Sequence, residues 1–538
     1  MSAINTWKFN TYMMTDWMSQ PKGNYLLIAL VSFATTLLFF PQLSWVVFSG
    51  DDSHLMRVSL QHGWAAPYFS PEYYRELSVA NFTPIPLSVY KTILTIFGQR
   101  PLVLLLFMLL MGGMMLTLAG ALVYKLTNRV SLALICVALI LSSQSMHTLL
   151  SRFYTMHYLI GLIFALSAFL LFVSVKRNTS GTLLVILFAF LAMVSKEVYV
   201  VAPAILALIA LRNGDRILPA GLLGAFVVYW IWRSYMVAGG VSIGSEESYF
   251  KGFWTIEPDQ WKAFFLWYVK TNLLLLAAML LAMTIVPRFF FPMFIAALAF
   301  GLPGLAVTHG IQEFNMHADR IFLAMNVALA IAATISLSMI KTSNVLYKRP
   351  AVAFVFLFSL ASHLWSIPHY KTMTATSPDY RISRFLLDNR PGLVDRTIFV
   401  PVNFIQGDLV RVNRLLNEPS FELTQNCQTA LLAPEGALIV FDSSGEMRSK
   451  EWLADTCMET DLNVVETMPP SYRDGYLQWR LEAPEGYTAG VLFVDRVFAV
   501  PIAAFSQQLV KPSQGERYQV FATDWQYWWF SEIKEIQQ

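Results

Sequence analysis

The 538-residue chain is 56% hydrophobic and only 14% charged, with a mean hydropathy of +0.51, a balance that excludes an ordinary soluble domain. Its formal net charge of +3 excludes an electrostatic nucleic-acid binder, so information lies in where the charges stand and not in their sum.

Residues 1–24 lack the apolar core and cleavage site of a signal peptide. They interleave Trp7, Phe9, Tyr12, Met13, Met14, Trp17 and Met18 with polar residues, which predicts a cytoplasmic interfacial helix. Apolar stretches long enough to cross about 30 Å of hydrocarbon then follow at 25–48, 102–124, 130–150, 158–175, 217–237, 264–286, 289–307, 321–340 and 351–367. The stretch 183–211 is too long for one comfortable span and short for two, and Ser195-Lys196-Glu197 interrupts it. Read as two short helices, it brings the total to about 11 transmembrane helices.

With the N-terminus inside, one face collects Lys8, Lys22, Lys125, Arg129, Lys176, Arg177, Arg212, Arg216, Arg288, Lys341, Lys348 and Arg349, which makes it cytoplasmic. The other face receives the loop 49–100, the loop 238–262 and everything after His369, with charges of both signs. All the histidines fall on outer loops or outer helix ends, a pattern suited to a polar outer cavity. The expected organisation is an interfacial helix (1–24), a transmembrane domain (25–368) with the outer loop 49–100, and a periplasmic mixed α/β domain (369–538). Within that last domain 383–387 reads as helix, 397–402 and 437–441 as buried strands, and 476–481 and 490–500 as alternating strands. An oxidising compartment would allow Cys427 and Cys457 to pair. Trp525, Tyr527, Trp528, Trp529 and Phe530 suit sugar stacking, interface docking or core packing.

Candidate chemistry sits on the outer side. Asp51 and Asp52 follow the first span, with His54 beside them, where the competing reading is a pair of solvated loop acids. The loop continues through Asn81-Phe82-Thr83-Pro84-Ile85-Pro86-Leu87 into an amphipathic run, 88–97, that suits a helix lying along the membrane plane. Lys196 and Glu197 within an apolar run must be paired or wet, because a charge at the membrane centre costs about 2.5–3.5 kcal/mol. Lys196 could there hold an anionic headgroup, the competing reading being a private Lys196–Glu197 ion pair that closes a helical hairpin. The late loop carries His317, Asp319 and Arg320, and Arg320 opens an apolar helix; it suits forked recognition of phosphate or snorkelling to headgroups, and Arg152 could act alike.

The order of these motifs resembles the GT-C glycosyltransferases, especially the protein O-mannosyltransferase-like branch and bacterial relatives that use polyprenyl-phosphate sugars. The resemblance covers roughly residues 25–340: an outer acid after the first helix at Asp51-Asp52, a proline-leucine element at Thr83 to Leu87 without the family's arginine, a lysine-glutamate pair at Lys196-Glu197, and an acid-arginine pair at Asp319-Arg320. It implies an inverting transferase in the inner membrane, with a polyprenyl-phosphate sugar donor and an extracytoplasmic glycan, lipid or protein acceptor. Asp51 or Asp52 would be the base, and Lys196, Arg320 and Arg152 would hold the donor phosphate, with Glu197, Asp319, His54 and His317 in support. No cofactor is expected; a divalent metal at Asp51 and Asp52 is the alternative. The rival activities are oligosaccharide transfer from a polyprenyl diphosphate, transport or lipid flipping, and a non-catalytic scaffold.

Overall fold

The computed structural model describes residues 22–39, 47–48, 52–77, 82–150, 152–175, 178–238, 258–302, 318–339, 355, 357–359, 361, 377–404, 406–418, 421–434, 436–457, 464–473, 476–494, 498–500, 502–508, 516–524 and 527–536. They belong to two compact units. One comprises Met1–Val46, Ala80–Pro86 and Leu102–Ile367; the other comprises Val47–Val79, Leu87–Pro101 and Pro368–Gln538. Residues 47–79 and 87–101 are thus grouped with the C-terminal region, and 80–86 with the helical unit.

Helix α1 (Lys22–Phe39) is followed by the outer-loop helices α2 (Asp52–Gln61), α3 (Ala66–Phe69), α4 (Pro71–Leu77) and α5 (Pro84–Phe97). Next come α6 (Pro101–Thr127), α7 (Val130–Leu141), α8 (Gln144–Leu150) and, after a 3-10 turn at Phe153–Thr155, α9 (Met156–Ser174). The 27 residues of α6 span about 40 Å at about 1.5 Å per residue, more than the hydrocarbon thickness. Helix α10 (Thr179–Met193) ends in a turn, and a 3-10 turn at Glu197–Val200 leads into α11 (Val201–Arg212), so Lys196 sits at the junction of two short helices. Asn178 starts α10 by accepting from the Gly181 N–H, which satisfies one of the donors orphaned at a helix N-terminus. The unit continues through α12 (Ile217–Arg233), α13 (Pro258–Thr271), α14 (Leu273–Ile285), α15 (Pro287–Ala299) and, behind the 3-10 turn Ala318–Phe322, α16 (Leu323–Leu337).

Among the described residues four helical stretches are long and apolar enough to cross a membrane: Pro101–Thr127, Phe153–Ser174, Ile217–Val237 and Arg320–Leu337. The bent pair Trp261–Thr271 and Leu273–Thr284 makes a fifth if it is one span. That is fewer than the eleven expected. Lys22–Leu38, Val130–Leu141, Thr179–Met193 and Phe290–Ala299 form shorter apolar helices. Most of 351–367, and the interfacial segment before residue 22, lie outside the described residues.

Two expected single spans are broken, and one buried polar side chain explains both breaks. The stretch 130–150 divides at Ser142-Ser143, where the Ser142 hydroxyl donates to the Leu139 carbonyl at 2.8 Å; 264–286 divides at Asn272, whose amide donates to the Tyr268 carbonyl at 3.2 Å. Asn326, fully buried on α16, has its amide nitrogen 2.9 Å from each of the Ser143 and Ser145 hydroxyls and 3.2 Å from Asn272 Oδ1, while the Tyr268 hydroxyl donates to its Oδ1 at 2.5 Å. In an apolar bundle these groups have no water to turn to, so each is satisfied by bending its chain toward the others.

The second unit combines the outer-loop helices with α17 (Pro378–Asp388), β1 (Thr397–Phe399), α18 (Leu409–Leu415), β2 (Glu422–Thr424), α19 (Cys427–Leu431), β3 (Leu438–Phe441), β4 (Met447–Arg448) and α20 (Lys450–Thr456). These strands form one sheet in the order β2-β1-β3-β4, with the first three parallel. Two antiparallel sheets follow, built from β5 (Val465–Arg473), β6 (Tyr476–Glu482), β7 (Thr488–Phe493), β8 (Phe498–Val500), β9 (Ala504–Gln508), β10 (Arg517–Thr523), β11 (Trp528–Phe530) and β12 (Lys534–Glu535). The run 490–500, expected as one strand, is the antiparallel pair β7 and β8, because the charged Asp495-Arg496 pair interrupts its apolar pattern. Cys427 and Cys457 form a disulfide, with Cα atoms 5.9 Å apart, inside a core shared with Phe399, Leu453, Phe521 and Trp528. Trp528, Trp529 and Phe530 are buried in that unit, while Tyr527 is exposed and Trp525 lies outside the described residues.

Candidate functional site

The first unit concentrates basic side chains where three helix breaks meet. Arg152 stands in extended conformation ahead of the Phe153–Thr155 turn, Lys196 likewise ahead of Glu197–Val200, and Arg320 lies in the Ala318–Phe322 turn. Such positions project side chains from the end of a helix instead of packing them into its flank. Arg320 donates to the Tyr154 hydroxyl at 2.7 Å and Arg152 donates to the same oxygen at 2.9 Å, while the Arg320 guanidinium carbon lies 5.0 Å from the centre of the Tyr154 ring. Four residues on, Tyr158 presents its ring to the Lys196 ammonium at 5.4 Å and to the His157 ring at 4.4 Å. Both Lys196 and Arg320 lie within electrostatic reach of His157, which ties the three cations to one locality.

Lys196 is 7% exposed and its ammonium stands 3.4 Å from Glu197 Oε2. That pair is not private: Arg233 Nε lies 3.7 Å from Glu197 Oε1, and the Phe82 N–H donates to the same oxygen. The proline-leucine element that begins at Thr83 is thereby attached to the lysine-glutamate element. The attachment is reinforced by Phe82 against Trp232, with ring centres 5.0 Å apart. Beneath Lys196, Tyr199 donates to the Tyr158 carbonyl at 2.5 Å, and its ring lies so close to Gly161 that a Cβ there would collide with it. The glycine is what lets the turn carrying Lys196 approach α9.

Asp52 belongs to the second unit. It opens α2, is fully buried, and accepts from the Tyr90 hydroxyl at 3.0 Å. Behind it the Ser53 N–H donates to Gln406 at 3.2 Å. Arg57 places its Nε 2.9 Å from Asp408 and donates to Glu76; His54 stands 3.4 Å from Asp408, and His62 stands 2.7 Å from Glu76. Burial by itself would raise the Asp408 and Glu76 carboxyls, but His54 and Arg57 bring Asp408, and Arg57 and His62 bring Glu76, below the ordinary carboxylate range. Burial would lower the Arg57 guanidinium, and Asp408 and Glu76 together hold it above its usual value. His54 is therefore engaged in tying α2 to the segment before α18.

Asp51 and His317 lie outside the described residues, and Asp319 shares the 3-10 turn of Arg320. Among the described residues no three His, Cys, Asp or Glu side chains gather closely enough to hold a metal ion. Tyr154, Tyr158, His157 and Arg233 were not singled out from the sequence. Arg233 could have been: it is an arginine in the last turn of a long apolar helix. The polar-aromatic run from Arg152 to Tyr158 was the signal for the others.

No family model matches the chain, and no curated protein matches it. Among solved structures it is similar to the crystal structure of ArnT from Cupriavidus metallidurans bound to undecaprenyl phosphate, at 12% identity and a TM-score of 0.44, and to ArnT from the same organism in the apo state, at 12% identity and a TM-score of 0.46. Each likeness covers 74% of this chain and 85% of the other. A likeness of that size assigns no activity, so the functional reading is built on this chain's own residues.

Proposed function

We propose that the protein is a GT-C-type glycosyltransferase of the inner membrane that moves a hexosyl or pentosyl group from a polyprenyl monophosphate to an extracytoplasmic acceptor. In motif order it stands nearest the protein O-mannosyltransferase-like branch. The observation that carries this reading is the gathering of Lys196, Arg320 and Arg152 around Tyr154 and Tyr158 at helix breaks of an apolar bundle. These side chains present ammonium and guanidinium donors from one locality, and a phosphate presents oxygens suited to forked guanidinium donors.

In the proposed reaction the acceptor hydroxyl oxygen attacks the anomeric carbon, its proton passes to Asp51 or Asp52, and the bond from that carbon to the phosphate oxygen breaks. The electron pair stays on the phosphate, whose growing charge Lys196, Arg320 and Arg152 stabilise. A single displacement inverts the anomeric centre. The reading needs no metal, because the cations supply the charge stabilisation. It also takes the topology to be about eleven spans, with a cytoplasmic N-terminus and a periplasmic C-terminal unit.

The test is transfer from a labelled polyprenyl-phosphate sugar pool to envelope material by wild type, Asp51→Asn and Lys196→Ala at matched expression, with and without chelator. Transfer lost in both variants and retained by chelated wild type is the expected result. Unchanged transfer in Lys196→Ala would overturn the site, and loss on chelation would move the reading to a metal-dependent diphosphate-donor transferase.

A further inference from the structure

The arginines around the end of α17 differ in one respect. Arg381 pairs with Glu446, Arg384 with Asp388 at 2.7 Å and Arg390 with Glu418, whereas Arg396 makes no ion pair among the described residues. From the end of α17 at Asp388 the chain makes a 3-10 turn at Arg390–Leu393, passes Asp395 in a left-handed conformation at φ 60°, and enters β1 beside β3. Along this path lies a cavity of about 520 Å³, within the range of about 300–1,000 Å³ common to small-molecule sites. Asp388, Asn389 and Arg396 line it, and Phe385, Pro391 and Leu438 add apolar surface. Two glycines complete the lining. Gly436 has φ 79°, which accounts for its being glycine, but Gly392 is outside the left-handed region and a Cβ there would meet nothing within 4 Å. Neither backbone nor packing calls for glycine at 392; its effect is to leave the cavity open.

We propose that this cavity binds an anionic saccharide, a pyranose that carries a carboxylate or a phosphate. A guanidinium only donates and a carboxylate only accepts, so a ligand that serves both needs an acceptor and a donor close together, as neighbouring sugar substituents are. The anionic substituent answers Arg396, whose charge no described carboxylate takes up, and a guanidinium matches either anion in a forked geometry. Ring hydroxyls donate to Asp388 and to the amide oxygen of Asn389, a side chain held in place by its own donation to the Phe385 carbonyl at 2.9 Å. The C–H face of the pyranose covers Pro391 and Leu438 in the space that Gly392 leaves clear. The site stands apart from the donor-phosphate reading, because its residues belong to the second unit and Lys196, Arg152 and Arg320 to the first.

The test is titration calorimetry on the full-length protein in nanodiscs with glucuronate, glucose 6-phosphate, glucose and inorganic phosphate, for wild type, Arg396→Gln and Gly392→Leu, with thermal unfolding measured on each. Wild type is expected to bind glucuronate or glucose 6-phosphate about tenfold or more tighter than glucose or inorganic phosphate, and whichever sugar binds tells carboxylate from phosphate. Arg396→Gln should erase that preference. Gly392→Leu should abolish binding with the unfolding midpoint unmoved, because its side chain enters open space. If neither anionic sugar binds tighter than glucose, or if inorganic phosphate binds as well as they do, the proposal is overturned. It is overturned equally if both variants bind as wild type does, since the ligand then sits elsewhere. Should Gly392→Leu fail to fold, Arg396→Gln decides alone: it removes charge from a half-buried side chain, and an intact preference for the anionic sugar sinks the site.

Discussion

The two units hold their buried charges in different ways. In the second unit Arg57 meets two carboxylates, Asp408 and Glu76, each of which also meets a histidine, so every cation in that network faces an acid. In the bundle Arg320 and Arg152 donate to one phenol, Lys196 lies over another, and Lys196 shares Glu197 with Arg233. The first arrangement is what a structural network requires, because removing either sign leaves the other stranded. The second holds cations against aromatic faces and a neutral oxygen as well as a carboxylate, which fixes their orientation by more than ion pairing.

The comparison breaks most readily at Arg57. Arg57→Ala strands Asp408 and Glu76 and is expected to cost about 3–5 kcal/mol of stability, read as loss of the second unit's unfolding transition in denaturant. Arg320→Ala, by contrast, should leave that transition in place; equal destabilisation by both would show that the bundle's cations are structural too. A smaller effect is expected at Gly161. Gly161→Ala forces the Tyr199 ring away from α9 at about 1–3 kcal/mol, and because Tyr199 holds the Tyr158 carbonyl, farnesyl phosphate affinity should fall with it. Unchanged melting and binding would mean that the turn has room to move. Smallest is the response to acid. Asp408 and Glu76 titrate below their ordinary range when folded, so their contribution is fully present above the unfolded carboxylate pKa of about 4 and is lost as pH falls through the lower folded values. Proteolysis of the second unit should therefore accelerate only below about pH 4, and Asp408→Asn should flatten that profile. An acid limb that Asp408→Asn leaves unchanged would show that this carboxylate does not carry the dependence.

Much of the architecture was legible without coordinates, since it follows from one-dimensional patterns. Apolar run lengths mark the long helix at Pro101–Thr127, and an interrupting Lys196-Glu197 pair marks the junction between the two short helices α10 and α11. Composition marks the change of character after residue 368, short apolar runs mark β1 and β3, and alternation marks β6. Lys196, Arg320 and Arg152 stood out because charge in an apolar run must be accounted for.

What only the tertiary structure decided is how distant groups pair. Asn326 and Asn272 are 54 residues apart, and neither the bend at Asn272 nor the break at Ser143 can be read from hydropathy, which counts a buried asparagine as a minor blemish instead of the centre of a network. Arg57 and Asp408 are separated by some 350 positions, so the loop 49–100 looked like an appendage of the bundle although most of it packs with the C-terminal region. The role of Tyr154 was hidden for the same reason: its neighbour Arg152 is two residues away, but Arg320, which reaches the same oxygen, is 166 residues further along the chain. Periodicity is a local property of the chain, whereas satisfying a buried polar atom is settled by whichever partner the fold brings within about 3 Å.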